Sequence, residues 1–87
     1  MKVKDMTSKA SGREVANQFI IYGDHETTFQ SYSTVIATKR DGRVYLDHDW
    51  AYSVTTGKYR NQFLRETRKE TERKIADGTY ILADLNS

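Results

Sequence analysis

At 87 residues the chain is a single small domain, and folding at this length removes only roughly 60–65% of the unfolded surface from water. Apolar residues make up 37% and charged residues 30%, yet 11% are aromatic, which supplies bulk for a small core and argues against a disordered chain. The absence of cysteine excludes disulfides, thiolate metal sites, iron–sulfur clusters and a cysteine nucleophile, and no apolar run approaches the ~18 residues of a membrane helix.

The net charge of +2 is unevenly spread: residues 1–13 carry +3, residues 14–50 carry −3, residues 51–74 carry +4 and residues 75–87 carry −2. Residues 1–13 hold Lys2, Lys4, Lys9 and Arg13 against Asp5, with Ser8, Ser11 and Gly12 among them. That composition predicts a peripheral basic segment, a short helix or a tail, set apart from a domain over residues 14–87. No apolar signal core follows its charges, so a soluble protein of the cytoplasm is expected.

Gln18–Tyr22 is rich in β-branched and aromatic residues and is followed by the turn residues Gly23-Asp24-His25-Glu26, then by Thr27–Ser31. The pattern predicts a hairpin. Thr34–Lys39 predicts a third strand, Asp41-Gly42 supplies a type I′ turn, and Val44-Tyr45-Leu46 returns antiparallel. Strict alternation assigns Phe19 with Ile21, Val35 with Ala37, and Val44 with Leu46 to covered faces.

Ser53, Thr55 and Thr56 offer hydroxyl caps, so a helix starts near Thr55 or Thr56 and carries Tyr59, Phe63 and Leu64. Thr67-Arg68-Lys69-Glu70 matches a capping box, which places a break near Thr67. The next helical stretch, Arg68 to Ala76, stops at Asp77-Gly78, and Tyr80–Ala83 forms a last strand. The expected fold is α+β: a small antiparallel sheet of four to five strands packed with one or two helices.

Two histidines and five glycines leave little for catalysis, and no phosphate-cradling glycine loop or nucleophile elbow is present. Asp47-His48-Asp49 reads as solvated residues at a strand end, because alternation turns His48 away from both carboxylates. No catalytic residue, metal site or cofactor is expected. The basic helical stretch is the more informative feature. Lys58, Arg60, Arg65, Arg68 and Lys69 form a cationic surface near Tyr52 and Tyr59, whose rings can stack on unpaired bases. Ser53, Thr55 and Thr56 open that helix, where exposed N–H groups favour a phosphate. Glu70 with Lys74, and Glu66 with Lys69 or Arg73, are expected as local ion pairs.

Ser31-Tyr32-Ser33-Thr34-Val35-Ile36-Ala37, then Val44-Tyr45-Leu46, then Tyr52-Ser53-Val54-Thr55-Thr56-Gly57-Lys58-Tyr59 follow the pattern SY-x-[ST]-x-IA, a glycine-turned hairpin, and YS-x-TT-x-K-[YH]. In these motifs the chain resembles a family of small bacteriophage and prophage proteins. The resemblance implies a phage setting and a compact α+β domain, and it carries over no catalytic residue. Within the motifs, Tyr32, Tyr52, Ser33, Ser53 and Thr55 are expected to tie sheet to helix.

The expected function is therefore a phage-encoded accessory protein that binds a host protein or a protein–nucleic-acid complex stoichiometrically, in the manner of an anti-CRISPR inhibitor. The alternative is direct nucleic-acid binding through the basic helical face. A homodimer is expected, formed along the edge of Tyr80–Ala83 or by covering Trp50 and Tyr80, unless residues 1–13 lie along that edge.

Overall fold

Short loops between β-forming runs leave each strand no partner nearer than the next, and the result in the computed structural model, which describes residues 1–86, is a meander. Strands β1 (Lys2–Thr7), β2 (Glu14–Tyr22), β3 (Glu26–Ser31), β4 (Thr34–Arg40) and β5 (Arg43–Asp47) pair antiparallel in chain order. Helices α1 (Val54–Leu64) and α2 (Arg68–Ala76) then cross one face, and β6 (Tyr80–Ala83) returns parallel to β5. The fold is α+β, with two helices and a mixed sheet of six strands where an antiparallel sheet of four to five is expected from sequence, because the two helices between β5 and β6 carry the chain back to start β6 in the same direction.

The additional strand is β1. Residues 1–13 are not a helix or a tail: Lys2–Asp5 pair with Phe19–Tyr22, and Met6 is buried in the core after an irregularity in the ladder. Exposed lysines disguise this strand because its only buried apolar residue is Met6. It lies on the edge opposite β6, so it does not cover the edge of Tyr80–Ala83.

Asp41 and Gly42 both have positive φ, 52° and 76°, as the β4–β5 turn requires. In β2, Ile20 stands opposite Phe29 and packs on the core, so Phe19 and Ile21 lie on the other face, the reverse of the alternation reading. A bulge at Ile36 separates Val35, opposite Gln30, from Ala37, opposite Phe29. Val44 and Leu46 do share the covered face.

Phe29, Ile36, Ala37, Leu46 and Tyr80 from the sheet meet Tyr59, Phe63 and Leu64 from α1. The rings of Phe29 and Phe63 stack at 5.8 Å. Trp50 packs partly buried against this cluster, and Tyr80 is buried within it, so neither awaits a second chain for cover. Both helices lie on this one face. The opposite face carries a continuous row across all six strands: Val3, Ile21, Thr28, Thr38, Tyr45 and Ile81.

Ser53 caps α1, accepting from the Thr56 N–H at 3.1 Å, and Arg65 ends the helix in the left-handed region. The Thr67–Glu70 capping box then starts α2, at the break the sequence predicts.

Candidate nucleic-acid interface

Met6 of β1 is buried in the core and Gln62 of α1 donates to the Thr7 carbonyl at 2.8 Å, whereas Tyr22 of β2 and Lys39 of β4 stay exposed beside α1. A groove of ≈ 1010 Å³ results, with Met6, Ile20, Tyr22 and Thr27 on the sheet side. Register explains its floor. Tyr22 stands opposite Lys2 on one side and Thr27 on the other, and Thr27 stands opposite Lys39, so all four belong to one cross-sheet row. Lys4 opposes Ile20 in the next row.

Lys9, Lys39, Lys58 and Arg65 line the groove, with Lys2 and Lys4 on the same sheet face. None of these six cations has a carboxylate partner among the described residues. Lys39 is the most constrained: its ammonium lies 4.4 Å from the Phe63 ring centre and donates to the Phe63 carbonyl at 2.9 Å. Burial lowers its pKa and nearby Arg65 lowers it further, while Glu66 opposes them. Glu66 and Glu70 stand at one end of the groove, and both are engaged elsewhere. Glu70 completes the cap of α2. Glu66 accepts from Lys74 at 2.7 Å, Tyr80 at 2.6 Å and Thr71 at 2.6 Å.

The residues assigned to this function from sequence divide sharply. Lys58 and Arg65 reach the groove. Tyr52 is exposed and lines a smaller depression of ≈ 550 Å³ with Ser53, Lys58 and Arg68. Thr55 and Lys69 are exposed, and Arg68 pairs with Glu72 at 2.9 Å.

Thr56, Tyr59 and Arg60 are corrections. Thr56 is fully buried, its hydroxyl 2.8 Å from that of Ser31, and it offers nothing to a phosphate. Tyr59 belongs to the core and cannot stack on a base. Arg60 is 1% exposed: it donates to the Trp50 carbonyl at 2.9 Å and the Asn61 side chain at 2.8 Å, and its guanidinium stacks on the Trp50 ring. Helical periodicity explains all three, because an arginine one turn from the apolar stripe is drawn inward once a carbonyl and an indole wait there.

Other expectations are redrawn locally. Sheet and helix are tied by Ser31 and Thr56, whereas Tyr32 and Tyr52 are exposed. The ion pairs of the helical stretch are Arg68–Glu72 and Glu66–Lys74 instead of Glu70–Lys74 and Glu66 with Lys69 or Arg73. Asp47 is buried, not solvated: it accepts from the backbone N–H of Asp49 at 3.0 Å and of Leu85 at 2.9 Å. Burial raises its pKa, and these bonds outweigh that and hold it below the ordinary carboxyl value. No group of three metal-ligating side chains converges among the described residues.

Sequence reasoning passes over Tyr22 and Lys39. Their signal is the hairpin register, which sets Tyr22, Thr27 and Lys39 side by side once the turns at Gly23–Glu26 and Asp41–Gly42 are fixed.

Searches of the curated proteins and of the solved structures return no match. Residues 1–78 match the Family of unknown function (DUF8033), and the chain belongs to that family.

Proposed function

We propose that this protein acts by stoichiometric binding rather than by turnover, and that the groove between α1 and the β1–β2 edge receives nucleic acid. One observation carries the reading: Lys9, Lys39, Lys58 and Arg65, all free of carboxylate partners among the described residues, line a groove with an apolar and aromatic floor, and Lys2 and Lys4 share its sheet face. Surface cations that merely keep a protein soluble are interspersed with acids, as on α2, where, among the described residues, Arg68 and Lys74 are paired, Lys69 and Arg73 are not, and Glu70 and Glu72 stand among them. A row of unpaired cations beside one concave surface instead raises the local potential for a polyanion.

The phage resemblance supports a setting in the cytoplasm of an infected bacterium. There such a module would occupy a nucleic acid, or a nucleic-acid-bearing defence complex, in the manner of an anti-CRISPR inhibitor. Fluorescence anisotropy against short oligonucleotides across a salt series tests the binding. Affinity should fall linearly with salt on logarithmic axes. Absence of binding at low salt up to tens of micromolar, near the range of weak non-specific affinities, overturns it.

A second reading rests on the opposite sheet face, where one row holds the exposed Val3 and the half-buried Ile21, Tyr45 and Ile81. A protein partner that buries this row would give a host-protein inhibitor. Recovery of one host protein from nuclease-treated lysate, lost on Tyr45→Glu, supports it; recovery unchanged by Tyr45→Glu overturns it.

A further inference from the structure

Resting on the groove reading, we infer that the occupant is an unpaired stretch of DNA or RNA, with one base laid on the ring of Tyr22. Tyr22 is the aromatic residue of the groove that remains open, at 41% exposure, whereas Phe63 is buried in the core. It sits at the end of β2, on the groove floor, with Lys2 on the adjacent strand and Lys39 two strands away in the same row. Adjacent strands lie ~4.8 Å apart, so Lys2 stands directly beside Tyr22, while the Lys39 ammonium, held at the Phe63 carbonyl, marks the α1 side of the groove. An exposed ring beside Lys2, in a groove lined by Lys9, Lys39, Lys58 and Arg65, meets both needs of a single strand, a platform for a base and charge for its phosphates.

A duplex does not meet this arrangement. Its bases are stacked on one another and offer no free face to a tyrosine. Here the cations border a concavity whose floor is Ile20, Tyr22 and Thr27, and that floor is accessible to a base only when the base is unpaired. Tyr52, the other exposed aromatic near the basic helix, lies in a separate depression on the far side of Lys58 and has no cationic strand row behind it.

The test uses the full chain and fluorescein-labelled probes of about 15 bases, a length within one to a few binding sites: oligo-dT, oligo-rU and a mixed-sequence duplex. Anisotropy at about 50 mM salt should show a single-stranded probe bound at least about tenfold more tightly than the duplex. Preference for oligo-dT or oligo-rU tells which nucleic acid is taken. Tyr22→Ala should weaken single-strand binding by roughly five- to a hundredfold and leave the salt slope unchanged, because it removes stacking and no charge. Tyr22→Phe should bind as the wild type, and Tyr52→Ala should too. Lys58→Gln should lower the salt slope by about 0.7. If Tyr22→Ala loses its far-UV circular dichroism, Tyr22→Thr, a residue that strands accept, takes its place. Equal binding of duplex and single strand, with Tyr22→Ala unaffected, overturns this inference and leaves the groove reading standing. Failure of all three probes overturns the groove reading itself.

Discussion

Glu66 lies between the two helices with its side chain only 2% exposed, and it accepts from three donors on two elements: Thr71 and Lys74 of α2 and Tyr80 of β6. A net hydrogen bond to a charged group contributes about 1.5–3 kcal/mol, and Lys74, partly exposed, belongs at the low end because water screens it. Glu66→Gln keeps an oxygen for Tyr80 and lets Thr71 turn to the Thr67 carbonyl at 3.2 Å, so it forfeits mainly the charge, about 1–2 kcal/mol. Glu66→Ala leaves the Tyr80 hydroxyl without its acceptor and should cost about 3–4 kcal/mol, a large share of the ~4–13 kcal/mol that a chain of this size has. Thermal melts followed by circular dichroism should place Glu66→Gln about 5–15 °C below wild type at pH 7, at about 4–8 °C per kcal/mol. The gap has a pH signature. Burial raises the Glu66 pKa, but the bonds from Lys74, Thr71 and Tyr80 outweigh it and hold the carboxyl below its ordinary value of 4.5. Its stabilisation is therefore complete above that value and lost as pH falls through the lower, folded one, so the two melting curves should converge in acid. A Glu66→Gln melting temperature within 2 °C of wild type at pH 7, against the ~5 °C minimum, refutes this account of the junction.

Other outcomes follow from single contacts. Burial and the Glu66 carboxylate push the Tyr80 hydroxyl up to about 12 from 10.0, so its contribution is whole below pH 10.0 and fades toward pH 12; an alkaline melt in which Tyr80→Phe and wild type lose stability in parallel contradicts it. Thr56→Val orphans the buried Ser31 hydroxyl and should cost about 1–3 kcal/mol, while adding Ser31→Ala should recover part of that in urea titrations; strict additivity of the two changes rules out the coupling. Gly42→Ala meets no atom within 4 Å but must adopt φ +76°, so a loss of about 1 kcal/mol is expected, and an unchanged urea midpoint would show that the turn relaxes. The β6 edge is open and carries few charges, so association along it predicts a dimer mass in light scattering; a single-chain mass across micromolar concentrations excludes it.

Local chemistry made much of this fold legible in the sequence. The Asp41-Gly42 turn, the Thr67–Glu70 capping box, the stop at Gly78 and the strand Tyr80–Ala83 each depend on a few neighbouring residues whose conformational preferences are strong without tertiary help. Tyr59, Phe63 and Leu64 mark the buried face of α1 because helical spacing alone aligns them. Where long-range pairing decides, the sequence is silent or misleading. β1 reads as a tail because lysine after lysine carries no β signal, and it becomes a strand because β2 presents an unpaired edge to it. The face of β2 is set by its unbroken register with β3, which puts Ile20 opposite Phe29, and a slip of one residue exchanges Ile20 for Phe19 and Ile21; the bulge at Ile36 likewise separates Val35 from Ala37 in β4. The same holds for function. Arg60 and Lys58 are both cations and two residues apart, but the packing of Trp50 draws the first inside and leaves the second at the groove. Lys2, Tyr22, Thr27 and Lys39, distant in sequence, fall into one row solely through the registers of three hairpin-linked pairs, since cross-strand rows are a property of the assembled sheet and of no one segment within it.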